Sequence, residues 1–264
     1  MRFTHTFGKA LAVAAISGLA LTACGGSNEE PAASGDALPL VQPGTLTVCS
    51  DIPYPPFEFQ EGNEYTGFDM DLIREIAGTM DLEVAIQDVS FDGLQSGVTL
   101  AAGQCDLGAS AMTITPEREQ NLAFSDPYYD SLQSLLVPEG SDIKAVADLA
   151  GKSVGVQAGT TGETYTRENV PENTEVRAFP SDAEMYQAIQ AGQVDALLQD
   201  LPVNLGHTED GRFTIVEEYK TDEQYGFAAK KEGSEALIEG VNAGLAELRE
   251  NGKYQEIYDK YFTE

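Results

Sequence analysis

Ala102-Gly103-Gln104-Cys105-Asp106 and Ala191-Gly192-Gln193-Val194-Asp195 repeat the pattern A-G-Q-x-D, 89 residues apart. Before each, apolar residues recur at helical spacing, and the glycine suits the stop of a helix. After each, a short apolar run suits a buried strand. Working outward, the same order of elements surrounds both copies. In the first block, strands are expected at Leu46–Cys49, Leu82–Ile86 and Cys105–Ser110. Helices are expected at Asp69–Met80, with Met70, Ile73, Ile76 and Ala77 on one face, and at Phe91–Ala102. In the second block, strands are expected at Ser153–Gln157, Val176–Phe179 and Val194–Leu198. Thr160 with Glu163, and Ser181 with Glu184, have capping-box spacing and open two helices, the second running to Gly192. Alternation of this kind argues an α/β protein with two similar lobes, each built on a mixed, mostly parallel sheet.

Tyr128–Val137 and Glu223–Ala229 read as extended segments that join the lobes in a two-strand hinge. Ser234–Arg249 follows as a helix with Leu237, Val241, Leu245 and Leu248 on one face, then a short helix carries Tyr254, Ile257, Tyr258, Tyr261 and Phe262. If this tail returns to the first lobe, lobe 1 comprises residues 44–129 plus 226–264 and lobe 2 comprises 130–225, with hinge strands near 128–134 and 223–229. A cleft is expected between them.

The chain has 264 residues with 15 Lys and Arg against 44 Asp and Glu, a net charge of −29. That charge excludes a nucleic-acid footprint and a surface that coats anionic lipid. Two His and three scattered Cys give little material for a metal site, and neither a metal nor a cofactor is expected. Residues 1–23 hold Arg2, Lys9 and the short apolar run Ala10–Leu21, the layout of a secretory signal. Leu21-Thr22-Ala23-Cys24 resembles the lipobox of bacterial lipoproteins, which implies cleavage before Cys24 and a diacylglycerol on its sulfur. The alternative is a plain signal peptide with an incidental Cys24. Lipid at Cys24 makes the protein anchored rather than spanning. Residues 24–43 are rich in Gly, Ser, Pro and acids and read as a flexible tether.

Six further stretches carry a family resemblance. They are Ser50-Asp51-Ile52-Pro53-Tyr54-Pro55-Pro56-Phe57-Glu58-Phe59, Gly67-Phe68-Asp69-Met70-Asp71 and Phe91-Asp92-Gly93-Leu94. After these come Met112-Thr113-Ile114-Thr115-Pro116-Glu117-Arg118, Phe124-Ser125-Asp126-Pro127-Tyr128-Tyr129 and Val154-Gly155-Val156-Gln157-Ala158-Gly159-Thr160-Thr161. Over residues 45–262 the chain resembles the family 3 solute-binding proteins that feed polar amino acids to bacterial ABC importers. The resemblance implies a bilobal fold of the periplasmic-binding-protein type II kind that closes on a free amino acid.

The residues themselves carry part of the same reading. Thr115 suits an N-cap and Pro116 the first helical position, which places Arg118 in a first helical turn where a cation needs an anionic partner. A guanidinium offers a carboxylate two parallel donors. By resemblance Arg118 holds the ligand's α-carboxylate, with Thr113 and backbone near Ser110 and Ala111 adding contacts. The alternative is an ion pair of Arg118 with Glu117 or Asp126. Gly159-Thr160-Thr161-Gly162 leads a strand into a helix N-terminus, where free N–H groups favour an anion. No Gly-Lys-Ser/Thr follows, so a nucleotide is not expected. Thr160 and Thr161 are read as donors to the same carboxylate.

Asp200 ends a buried strand where open α/β sheets bind ligands, and by resemblance it pairs with the α-ammonium. The alternative is a plain N-cap. Asp51 follows the first strand and is read toward the ligand's side chain or the hinge. Tyr54 and Phe91 match positions that sandwich that side chain. Gln157 and Gln199 are read near its tail. Phe57, Phe59, Met185, Tyr186 and the C-terminal tyrosines are assigned to packing and His207 to the surface. Cys49 and Cys105 suit either a disulfide in an oxidising compartment or two buried thiols.

The reading is a non-enzymatic receptor, monomeric, lipid-anchored on the extracytoplasmic face of the cell membrane. Its expected partners are a free amino acid, an ABC permease, and the bilayer through Cys24 only. Arg or Lys and Gln rank level, with Glu behind. The rival is a dehydratase-like enzyme on the same scaffold, for which Glu58 is the only loose carboxylate near the cleft.

Overall fold

The computed structural model describes residues 38–263. The signal segment, Cys24 and the tether up to Ala37 lie outside the described residues. The strands are β1 (Thr45–Ser50), β2 (Phe59–Glu61), β3 (Glu64–Thr66), β4 (Glu83–Asp88), β5 (Leu107–Gly108), β6 (Leu122–Phe124), β7 (Tyr129–Pro138), β8 (Ser153–Gln157), β9 (Glu175–Phe179), β10 (Ala196–Asp200), β11 (Phe213–Tyr225) and β12 (Ala228–Lys230). The helices are α1 (Phe68–Thr79), α2 (Phe91–Gln95), α3 (Val98–Ala101), α4 (Thr161–Asn169), α5 (Asp182–Gln190), α6 (Leu201–His207), α7 (Glu235–Glu250) and α8 (Lys253–Phe262).

Two five-stranded sheets define two lobes, in the orders β4-β1-β5-β12-β6 and β11-β7-β10-β8-β9. In lobe 1, β1 pairs in parallel with β4 and β5, whereas β12 pairs antiparallel with β5 and β6. In lobe 2, β8 pairs in parallel with β9 and β10, whereas β7 pairs antiparallel with β10 and β11. Four of the five strands in each sheet therefore run in the same direction, and the single reversed strand, β12 in one and β7 in the other, makes half of the pairings antiparallel. The chain leaves the first sheet after Phe124 and returns to it at Ala228.

The repeated A-G-Q-x-D has a physical cause. Asp106 Oδ2 accepts the Thr47 N–H at 2.8 Å, and its own N–H donates to the Thr47 carbonyl. Asp195 Oδ2 accepts the Ser153 N–H at 2.7 Å, and its N–H donates to the Ser153 carbonyl. Each Asp therefore locks the helix stop onto a strand of its lobe, Asp106 onto β1 and Asp195 onto β8. Gly103 and Gly192 both have φ of 68°, the left-handed turn that a side chain disfavours.

α1 buries Phe68, Met70, Leu72, Ile73, Ile76 and Ala77 as its periodicity requires. Its N-cap Gly67 has no substitute: a Cβ there would lie 2.1 Å from the Phe57 carbonyl oxygen. Around Phe68, the rings of Tyr128, Tyr129, Tyr254, Tyr258, Tyr261 and Phe262 pack at 5.0–6.4 Å. The C-terminal helices thereby bind to lobe 1. Cys49 and Cys105 are joined as a disulfide, with Cα atoms 5.9 Å apart.

Several local expectations change. The helix expected over Phe91–Ala102 breaks at Gly97, whose φ of 81° ends α2 and starts α3. The expected strand Cys105–Ser110 shortens to β5, since only Leu107 and Gly108 have ladder partners. The Leu38–Gln42 end of the expected tether lies against lobe 1: Leu38 and Leu40 pack on the core and the Val41 N–H donates to Asp106 Oδ1 at 2.7 Å. Among the described residues no helix is long and apolar enough to cross a membrane.

Candidate functional site

The parallel strands of both sheets point their C-terminal ends at one cavity. Asp51 follows β1, Ser110 and Ala111 follow β5, Gln157 ends β8 and Asp200 ends β10. These five, with Tyr54, Phe91, Thr113, Arg118, Thr160 and Thr161, line a narrow cavity of about 20 Å³. These eleven residues read from the sequence are therefore brought together, and Gln199 is not among them. Cys24 lies outside the described residues.

Arg118 opens a single 3-10 turn, Arg118–Gln120, rather than the expected α-helix; its N-cap is Glu117 and not Thr115, although Thr115 Oγ1 accepts the Arg118 N–H at 3.2 Å. Its Nη1 donates to the Thr113 carbonyl at 2.7 Å and its Nη2 to the Gly159 carbonyl at 3.0 Å, so the guanidinium touches both lobes. It lies 5.3 Å from the Phe91 ring centroid, a cation–π contact. The alternative ion pair with Glu117 or Asp126 is not formed: among the described residues Arg118 has no carboxylate within 4.0 Å. Burial pulls its pKa down to about 10, while Asp200 and Glu223 act the other way. A buried cation held only by carbonyls and a ring face favours an incoming anion.

Asp200, at the end of β10 in lobe 2, is buried and lines the same cavity. Its side chain makes no cap bond, which removes the plain N-cap alternative. Oδ2 instead accepts from the Tyr54 hydroxyl at 3.0 Å and from the Tyr225 hydroxyl, and Oδ1 from the Gln133 amide. Burial, then Glu223, pushes its pKa up to about 7. Asp51 faces Gln157 across the lobes, with Gln157 Nε2 donating to Asp51 Oδ2 at 2.6 Å. Burial pushes Asp51 up to about 6.

Thr160 caps α4 by accepting the Glu163 N–H at 3.0 Å, but Glu163 reaches back to the Gly159 N–H at 2.8 Å rather than to Thr160. Gly159, with φ of 77°, lies where a Cβ would meet Gln95 Nε2 at 3.0 Å and Asp92 Oδ1 at 3.2 Å. The lobes are thus in contact beside Arg118.

Three expectations fail here. Gln199 does not line the cavity: its amide donates to Asp182 and Asn204 within a buried network of lobe 2. His207 is buried rather than on the surface, with Nε2 2.9 Å from Asp182 Oδ1 and its ring stacked 3.8 Å from Tyr186. Glu58 is fully buried and no part of the cavity wall. Its Oε1 accepts the Ser110 hydroxyl at 2.7 Å, and burial raises its pKa well above normal. Asp69 lies beside it, accepting the Ala111 N–H at 2.9 Å and the Tyr128 hydroxyl at 2.6 Å, with its pKa raised by burial to about 7. Sequence reading missed Gln133, Tyr225 and Glu223. All three sit on β7 or β11, and only the extended character of those segments was visible. Among the described residues no cluster of His, Cys, Asp or Glu is placed to hold a metal.

Comparison with known proteins agrees with the bilobal fold. The chain is 34% identical over 259 residues to the arginine-binding extracellular protein ArtP of Bacillus subtilis, covering 96% of each chain. It is 36% identical over 206 residues to the ABC transporter glutamine-binding protein GlnH of the same organism, covering 76% of this chain and 74% of that one. An ancestral arginine-binding protein bound to glutamine superposes with a TM-score of 0.79 at 36% identity, covering 84% of this chain and all of the other. Residues 46–264 match the family model itself, so the chain belongs to the bacterial extracellular solute-binding proteins, family 3.

Proposed function

We propose that this protein is a lipid-anchored receptor that captures a free polar amino acid between its two lobes and delivers it to an ABC importer. One observation carries the reading. A cavity walled by both lobes holds a buried guanidinium, which has no carboxylate within 4.0 Å among the described residues, and a buried carboxylate. A zwitterion complements both. Its carboxylate takes the free donors of Arg118 with the N–H groups at the start of α4, and its ammonium takes Asp200. Phe91 and Tyr54 flank the space between.

Binding both ends needs both lobes, so ligand favours the closed arrangement, with the crossings near 128–134 and 223–229 as the hinge. Asp51 and Gln157 lie where the side chain of the ligand ends. A carboxylate suits Arg or Lys and an amide suits Gln, the ranking that the names of two relatives support. Diacylglycerol on Cys24 holds the receptor on the extracytoplasmic face, beside the permease that accepts the cargo. A dehydratase-like enzyme needs a general acid or base at the cavity. Glu58, the carboxylate considered for that role, lies behind Ser110, and the two that line the cavity, Asp51 and Asp200, are engaged by Gln157 and by Tyr54, Tyr225 and Gln133.

Isothermal titration of refolded protein against the twenty amino acids, with Arg118→Ala as control, tests the reading. Tight binding of a basic amino acid or glutamine, lost in the variant, is expected. Binding of none, or turnover of a bound compound, overturns it.

A further inference from the structure

Glu223 lies on β11 just after the irregularity at Tyr219–Glu223, where Asp222 takes φ of 54°. Its carboxylate is half-buried and reaches a place where three parts of the molecule meet. Oε2 accepts from Gln133 Nε2 at 3.0 Å, from the Thr161 hydroxyl at 3.2 Å and from the Thr113 hydroxyl at 3.4 Å. Thr113 belongs to lobe 1, Thr161 to lobe 2 and Gln133 to a crossing strand. The same Gln133 amide also donates to Asp200.

Two consequences follow from elementary chemistry. A threonine hydroxyl has one proton, so one directed at Glu223 is not directed at an anion in the cavity. A carboxylate beside the guanidinium also offsets part of the positive potential that attracts such an anion. Burial lowers the basicity of Arg118 and Glu223 is one of the groups opposing that, so the two charges act on each other. Among the described residues the hydrogen-bond partners of Glu223, which are Gln133, Thr113 and Thr161, carry no charge.

We propose that Glu223 is an affinity-setting residue: it competes with the ligand's α-carboxylate for Thr113, Thr161 and the charge of Arg118, and so weakens capture of every amino acid by a common factor. This rests on the reading of Arg118 as the carboxylate site. Since the α-carboxylate is common to all amino acids, Glu223 sets the strength of binding and leaves the order of preference alone. A receptor that must hand its cargo on is served by such a restraint.

The test is isothermal titration of the wild type, Glu223→Gln and Arg118→Ala with the amino acids that bind the wild type. Glu223→Gln keeps the shape and removes the charge. It is expected to tighten binding of each ligand on the order of tenfold, with the ranking unchanged. A gain of affinity is not produced by a damaged fold. Equal or weaker binding by Glu223→Gln, or tightening confined to one ligand, overturns the inference while the receptor reading stands. If no amino acid binds the wild type, the receptor reading fails and this inference falls with it.

Discussion

Arg118 and Asp200 are the two residues on which the proposed capture depends, and they fail differently. Removing the guanidinium in Arg118→Ala leaves a bound carboxylate buried without its counter-charge, a loss of roughly 3–5 kcal/mol. Binding should fall by more than about 100-fold, and Arg118→Lys should recover little, since an ammonium lacks the planar fork. Titration calorimetry of both variants checks this. Asp200 adds a pH dependence. Its pKa is pushed up to about 7 by burial, so below that pH it is protonated before ligand arrives. An ammonium requires the ionised form. Affinity should therefore fall as pH drops through about 7, with a proton released on binding in that range. Titrations at pH 6 in two buffers of different ionisation enthalpy measure that release. The sequence showed these residues because each sits in a compact local signal: Thr115-Pro116-Glu117-Arg118 at a helix-like start, and an Asp at the end of an apolar run. Gln133, Tyr225 and Glu223 carried no such signal. They act through register between β7 and β11, which pairs residues about 90 positions apart and is set only when the strands meet.

At the scale of elements, two glycines make separable demands. Gly67 starts α1 with φ of 125° and with the Phe57 carbonyl oxygen 2.1 Å from where a Cβ would sit. Gly67→Ala should destabilise the fold by roughly 2–4 kcal/mol through strain and backbone displacement, read as a lowered denaturation midpoint. Gly159 is also left-handed, but its crowding partners, Gln95 and Asp92, belong to the other lobe. Gly159→Ala should weaken amino-acid binding more than it lowers stability, and comparing the two measurements separates closure from folding. Helix identities were legible where an apolar period announced them, as in α1 and α7, or a capping residue did, as in α4 and α5. They were not where a single glycine intervened: Gly97 divides an unbroken-looking helix because its left-handed turn overrides the apolar spacing. His207 was misplaced for a related reason, since nothing local announces that Asp182 and Tyr186, on the preceding helix α5, bury its ring.

For the whole molecule, the raised carboxyl groups govern stability against pH. Asp51, Asp69 and Asp200 have ordinary values near 3.8, and in the fold they are pushed up to about 6, 7 and 7. Between those limits the folded state binds more protons than the unfolded one, so its stability declines as pH rises. The contribution is complete below about pH 4 and is lost as pH passes through about 7. Self-repulsion of a chain with net charge −29 at pH 7 adds in the same direction. The melting temperature should be higher at pH 5 than at pH 8, and a scan showing the reverse would contradict the assignment. Acid thus strengthens the fold while weakening ligand capture, an opposition that few single-site defects would mimic. The duplicated lobe plan was readable because Asp106 and Asp195 do the same structural task. The even mix of parallel and antiparallel pairing was not, since it depends on where the crossing segments dock.

The central claim is that one cavity recognises both ends of a zwitterion. It is tested most directly by titrating the tightest-binding amino acid beside its α-amide and its Nα-acetyl derivative. The account predicts that each derivative loses at least about 100-fold in affinity, because the first removes the charge that Arg118 requires and the second the charge that Asp200 requires. If either derivative binds as tightly as the parent amino acid, the zwitterion does not bridge the lobes and the account is wrong.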